Sequence, residues 1–383
     1  MPGLRQSDPA RKTSRLDAID FWRGLVLCTI FINHIPSNLF EVVTQKNYGF
    51  SDSAEAFVFL SGVSLALAYG PRFARGDLAE AVMSLARRAV KLYFVHIVLS
   101  VAAIGIYALG AFALDGSTLL EVHGRDLFVE DPKAALIGLA SLGHQLGYFN
   151  ILPMYILLLA LVPPLLSIGC RHPNVMLGAS AALYASVRFW NLNIPTWPMK
   201  GAWFFDPFAW QLLMAVGLWA GLMVRRGRLP SSAPLMLLAL CTMLAALVSV
   251  TDGFSLFPNL GDWARGWADL DKGVLGLGRL AHFIALAYVI YSLRLTDCLR
   301  GGRAYDAVCR IGRHSLWIFA CLSLLAAGGQ VVTEWLGHTP MIDAILVCGG
   351  LVILNRASLL LDLRASGALP LAAVRALAPL RRP

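Results

Sequence analysis

Arg15-Leu16-Asp17-Ala18-Ile19-Asp20-Phe21-Trp22-Arg23 opens the first apolar run of the chain, which continues without a charge from Gly24 to Asn33-His34. After a short polar interval, Asp52-Ser53-Ala54-Glu55 opens a second run that carries no further charge until Arg72. A helix needs about twenty apolar residues to cross the hydrocarbon core of a bilayer, and such runs recur along the whole chain. They fall at 20–38, 54–71, 92–114, 149–169, 175–190, 208–224, 233–251, 278–293, 314–333 and 341–361. The composition agrees. Of 383 residues 57% are hydrophobic, only 14% are charged, and mean hydropathy is +0.65, whereas a soluble domain carries about 25% charged residues. Lipid offers the backbone no hydrogen bonds, so these segments must be helices. The expected fold is all-α: a polytopic integral membrane protein of about ten transmembrane helices. The stretch 134–147 reads as a short interfacial or re-entrant helix.

Charge sets the orientation. With the N-terminus in the cytoplasm, most of the 32 Lys and Arg fall on that side, in clusters such as Arg72 to Lys91, Arg225 to Arg228 and Arg294 to Arg313. The acids favour the other side, which satisfies the positive-inside rule with both termini cytoplasmic. The net charge of +9 is then a topology signal, and nucleic acid is not expected as a partner. The organisation expected is a basic tail over 1–18, one membrane domain over 19–365 and a second cytoplasmic tail over 366–383. No cleavable signal peptide is expected. The seven cysteines fall in helices or on the cytoplasmic side, so neither a disulfide nor a metal site is expected. No internal repeat of the kind many transporters carry is evident.

The chemistry concentrates in the first two runs. Arg23 and His34 are eleven residues apart, about three helical turns, which puts them on one face roughly 16 Å apart along the axis. Ionisable groups at such depth are expensive and mark function. The second helix runs back from the outer face, so Asp52 and Glu55 start at the depth of His34. A carboxylate accepting from one imidazole nitrogen would leave the other free as a base. The plainer alternative makes Arg23 an interfacial anchor paired with Asp20, His34 a hydrogen-bonded core residue, and Asp52 a water-facing acid.

The run Leu16-Asp17-Ala18-Ile19-Asp20-Phe21-Trp22-Arg23-Gly24, then Asn33-His34-Ile35-Pro36, then Gly49-Phe50-Ser51-Asp52-Ser53-Ala54-Glu55-Ala56-Phe57-Val58-Phe59-Leu60-Ser61-Gly62 resembles the OpgC family. Its members are succinyltransferases of osmoregulated periplasmic glucans, related to the membrane acyltransferase-three superfamily. The segments Trp203-Phe204-Phe205-Asp206-Pro207-Phe208-Ala209-Trp210-Gln211 and Ile311-Gly312-Arg313-His314-Ser315-Leu316 are similar to further motifs of that family. The resemblance implies an O-acyltransferase of the bacterial inner membrane. It would take an acyl group, succinyl by resemblance, from cytoplasmic acyl-coenzyme A as co-substrate and pass it to a periplasmic glucan. No bound cofactor or metal is implied. His34 would be the base, with Glu55 or Asp52 orienting it and Arg23 on the donor.

Acyl-coenzyme A needs cations for its phosphates, and Arg72, Arg75, Arg87, Arg88 and Lys91 cluster between the second and third helices, where the resemblance also places donor binding. Arg suits phosphate by its bidentate geometry. Trp190, Trp197, Trp203, Trp210, Trp263, Trp267 and Trp335 all fall near the outer side. An ordinary aromatic belt occupies both interfaces, so the one-sidedness admits two readings: a lopsided belt, or stacking platforms for sugar in which Trp203, Trp210 and the adjacent Gln211 are expected to meet the acceptor. Arg188 and Arg279 are the candidates for the free carboxylate of a succinyl group. His96, His144 and His282 read as core histidines, with His96 also a possible donor contact. Gly217-x-x-x-Gly221 reads as a helix-packing contact, and Ser61-Gly62 as another, the alternative being Ser61 as an acylated nucleophile. Gly276-x-Gly278-x-x-Ala281 lacks the preceding strand of a dinucleotide site. The rival class is a transporter or flippase of a lipid or glycan intermediate, which would also account for buried Arg and His.

Overall fold

The computed structural model describes residues 9–365, apart from 116–117, 228, 230, 254–255 and 257–258. The tail expected over 366–383 and the first eight residues of the N-terminal tail lie outside the described residues. From Pro9 the chain is already helical. The helices in chain order are α1 (Pro9–Asn33), α2 (Ser53–Arg75), α3 (Leu78–Ala113), α4 (Leu127–Glu130), α5 (Pro132–Ala140), α6 (Ile151–Gly169), α7 (Pro173–Trp190), α8 (Pro207–Arg226), α9 (Ala233–Val250), α10 (Leu260–Ala268), α11 (Leu277–Ser292), α12 (Leu295–Leu299), α13 (Arg303–Arg313), α14 (Ser315–Leu336) and α15 (Pro340–Ala365). The described residues form no named strand. The chain is an all-α, multi-pass membrane protein.

All ten apolar runs coincide with helices. Seven of these, α2, α3, α6, α8, α9, α14 and α15, are long and apolar enough to cross a membrane. The other three are α1, α7 and α11. α1 carries Asp17, Asp20 and Arg23 in its middle turns, α7 is interrupted by Ser180, Ser186 and Arg188, and α11 has only 16 residues. The stretch at 134–147 contributes the short α5, which Pro132 starts at its first turn.

Local chemistry sets the ends of the two central helices. Asp52 caps α2 by accepting from Ala54 N at 2.8 Å, and Glu55 returns the bond by accepting from Asp52 N at 2.9 Å, a capping box. α2 ends at Gly76, with φ of 90°, a conformation that costs Gly little. Asp206 caps α8, and Pro207 occupies its first turn.

These two helices pack closely because they meet at glycines. A Cβ on Gly217 would meet Gly62 Cα at 3.1 Å, and one on Gly221 would meet Ala66 Cβ at 2.7 Å. Gly217-x-x-x-Gly221 is therefore the helix contact that its small residues predict. α1 lies against α2, α13 and α14, while α3 packs on α6 and α14. The α1–α2–α3–α6–α14 group encloses the site. α9 is peripheral, packs mainly on α11 and exposes Leu237, Leu238 and Leu244.

Candidate active site

The connection from His34 to Asp52 reverses the chain. The His34 end of α1 and the Asp52 end of α2 therefore share one end of the bundle. Arg72, Arg75 and the start of α3 belong to the other, which is here called the basic end.

At the basic end a cavity of about 360 Å³ opens between α1, α2, α3, α6 and α14. Arg87, Arg88 and Lys91 line it together with Arg23, Ser61, Tyr155 and Ser315, and its apolar wall is Phe57, Leu92, Leu152, Leu316 and Phe319. None of these three α3 cations pairs with a carboxylate among the described residues. Arg88 donates to Tyr155 Oη at 3.1 Å, and Lys91 stands 5.1 Å over the Trp317 ring. Arg23 is held by Asp20 at 3.5 Å and donates to Ser64 Oγ.

The expected cluster of five cations thus divides. Arg75 is paired with Asp77 at 3.0 Å and Arg72 with Glu80 at 3.8 Å, and neither lines the cavity. Both sit at the tight α2–α3 turn, where the acids of the new helix are their nearest partners. Only Arg87, Arg88 and Lys91 face the cavity.

At the opposite end His34 follows α1, with its amide still bonded to Ile30 O at 2.9 Å. Its ring lies 5.0 Å from that of Tyr148, and Nδ1 is buried without a partner. The His34 carbonyl accepts from Gln330 Nε2 at 2.6 Å.

Asp52 and Glu55 do not orient His34, contrary to the expectation from depth. Glu55, fully buried, accepts from Arg279 Nε at 2.7 Å. Asp52 pairs with Lys272 at 2.6 Å and with Arg279 at 3.3 Å. Buried carboxylates need a compensating charge, and α11 supplies a cation that the imidazole cannot match. Burial disfavours the Asp52 charge, yet Lys272 and Arg279 hold its carboxyl below the usual carboxylate range. What fixes His34 is the Gln330 bond and the Tyr148 ring.

The expected sugar contacts also separate. Trp210 is wholly buried and donates from its indole to the carbonyls of Lys272 and Gly273, both at 3.1 Å. Gln211 is buried too, donating to Ser180 O at 2.8 Å and accepting from Ser180 Oγ at 2.5 Å. Both therefore brace α8 internally instead of meeting a ligand. The reason is the phase of α8: its first turns face α7 and the 272–273 loop. Trp203 lies before the helix. It lines a second cavity of about 190 Å³ with His144, Gln145, Asn150, Thr196 and Phe204, and its indole N–H has no partner.

Of the other histidines, His144 Nε2 bonds Gly124 O at 2.7 Å and His282 Nδ1 bonds Ser51 Oγ at 2.8 Å. His96 is fully buried, and neither ring nitrogen has a partner. Arg188 and Arg279 are not available for an acyl carboxylate, because Asp269 neutralises the first at 2.9 Å and Glu55 the second.

The family described as OpgC protein matches residues 15–365. The chain belongs to the OpgC family. That span takes in the Asp20-to-Arg23 motif, His34, the Asp52-to-Gly62 motif and both cavities. No curated protein and no solved structure matches the chain. OpgC membership implies a transferase with a role in glucan modification. In this member Gln330, Tyr148, Lys272 and Arg279 join the site unannounced by the motif. A Gln inside the apolar run of α14 was the one signal that could have found Gln330.

Proposed function

We propose that the chain is an O-acyltransferase of the bacterial inner membrane, moving an acyl group, succinyl by family resemblance, from cytoplasmic acyl-coenzyme A to hydroxyls of a periplasmic glucan. The observation that carries this reading is the basic cavity. It joins three cations without acid partners to an apolar wall drawn from α2, α3, α6 and α14, and it is bounded by Arg23 of α1, the helix that ends at His34. Phosphates suit Arg87, Arg88 and Lys91, and the pantetheine arm suits the wall formed by Phe57, Leu92 and Phe319. Arg23, beside Ser61 in that wall, faces the sulfur end of the arm. The Trp203 cavity offers an indole face and a free N–H to a sugar ring.

In the step proposed, the sugar hydroxyl gives its proton to His34 as its oxygen attacks the thioester carbonyl. The C–O bond forms, the C–S bond breaks, and coenzyme A leaves as the thiolate, to be protonated in turn. The reaction is an exchange of acyl esters and needs no metal or redox partner.

Oriented proteoliposomes given labelled succinyl-coenzyme A on the basic side and glucan on the other should transfer label to the glucan. His34→Gln keeps hydrogen bonding but holds a proton far more weakly. It should lower transfer by about 10²–10⁴-fold at unchanged expression. Retention of most transfer by His34→Gln would remove His34 as the base, and His96 would be tested next.

A further inference from the structure

One buried cation at the His34 end has no acid. Arg125, in the segment between α3 and α4, is 1% exposed. Its Nη1 donates to Leu119 O at 2.8 Å and its Nη2 to Gln330 Oε1 at 3.1 Å. The guanidinium lies 3.5 Å over the Tyr107 ring, and Nε has no partner. No carboxylate pairs with it among the described residues. Its neighbours at this end are neutralised: Arg279 and Lys272 by Glu55 and Asp52, Arg188 by Asp269.

A guanidinium cannot shed its charge by losing a proton. Burying it uncompensated is costly, and a ring face and two neutral oxygens offset only part of that cost. Such a group is a standing site for an anion.

The surroundings say which anion. Gln330 accepts from Arg125 and, at 2.9 Å, from Tyr107 Oη, and it donates to His34 O. Tyr148 has its ring 5.0 Å from both His34 and His123. Arg125 therefore stands two hydrogen bonds from the His34 backbone, in the same polar cluster. The donor's phosphates stay at the basic end and a glucan hydroxyl is neutral, so the group that can bring a negative charge here is the acyl chain itself. We propose that Arg125 receives the terminal carboxylate of the transferred acyl group and selects dicarboxylic half-thioesters over neutral acyl donors. This rests on the acyltransferase reading above.

The test uses three donors: succinyl-coenzyme A, its monomethyl ester and butyryl-coenzyme A, with glucan as acceptor and mass spectrometry of the product. The wild-type protein should use the free acid better than either neutral donor by roughly 10–100-fold in kcat/KM, the worth of a charge-assisted hydrogen bond. In Arg125→Gln that ratio should collapse toward unity, while Arg125→Lys should keep part of it. Equal use of the acid and its methyl ester by wild-type protein overturns the proposal without any variant, so a folding failure cannot shelter it. A fall of all donors together in Arg125→Gln, with the ratio kept, also overturns it and leaves Arg125 a brace for Gln330. Transfer from no donor at all by wild-type protein sinks the acyltransferase reading, and this assignment with it.

Discussion

At the His34 end of the bundle, Asp52 and Glu55 take up Lys272 and Arg279 in a closed ion cluster between the start of α2 and α11 with the loop before it. At the basic end, Arg87, Arg88 and Lys91 face a cavity with no acid among them. Both clusters arise from charged residues at the ends of apolar helices, and composition alone cannot separate them. Their pairing does. Charges that neutralise one another inside the protein hold helices together, whereas charges left over are held for something that comes and goes. The same contrast divides the five basic residues of the α2–α3 region, since Arg72 and Arg75 already have Glu80 and Asp77.

The sharpest way to break the comparison is to remove one partner from the closed cluster. Glu55→Ala leaves Arg279 buried beside a single carboxylate that it shares with Lys272. Loss of one partner of a buried pair costs about 3–5 kcal/mol, so the variant should melt well below wild type in detergent and express poorly. Replacing Glu55 and Arg279 together by Gln and Met should recover much of that loss. If Glu55→Ala melts normally yet fails to transfer, Glu55 acts on the reaction and not on the fold.

The open cluster should respond in binding and not in stability. Arg88→Ala removes a cavity cation worth about 1.5–3 kcal/mol if it contacts phosphate, and should raise the KM for acyl-coenzyme A accordingly with little change in melting. Arg72→Ala, whose charge is screened and already paired at the surface, should change KM by less than about 1 kcal/mol. Equal effects from the two would mean that cavity position has no bearing on donor binding.

Much of this architecture was legible in the sequence because bilayer thickness imposes one length on every span. All ten apolar runs are helices, and of the motif residues Arg23 lines the basic cavity while His34, Asp52 and Glu55 lie toward the other end of the bundle. What the motif hid was pairing across the chain. Glu55 finds its counterion 224 residues away in Arg279, and no periodicity reports such a distance. Depth along the bundle fixes one coordinate of three, and the placement of α11 against α2 decided that Glu55 meets Arg279. Trp210 and Gln211 failed for a related reason: a residue at a helix start can face the ligand or the bundle, and α8 turns both inward. Arg125 lay outside every apolar run, so nothing in the pattern marked it as buried.

Asp206 gives the smallest and most specific effect, because it is a closed-cluster acid without a cluster. It caps α8 by accepting from Phe208 N at 2.9 Å, while its Oδ2 is buried with no partner. Burial pushes its carboxyl up to about 6 from the ordinary 3.8, against the backbone N–H groups of Phe208 and Ala209, which favour the anion. An acid whose folded value is raised contributes its full stability below the unfolded value, and that contribution is lost as pH rises through the folded value. Wild-type protein should therefore lose stability between about pH 4 and pH 6 relative to Asp206→Asn. Asn caps a helix as well as Asp does, so at neutral pH the variant should be more stable, on the order of 1 kcal/mol. Thermal melting of both proteins in detergent at pH 4.5 and pH 7.5 checks this, read as the difference between the two proteins so that other titrating groups cancel. A difference that does not change with pH would mean that Asp206 ionises alike in the folded and unfolded chains. It would then have to find an unassigned cation in the fold, as Glu55 finds Arg279.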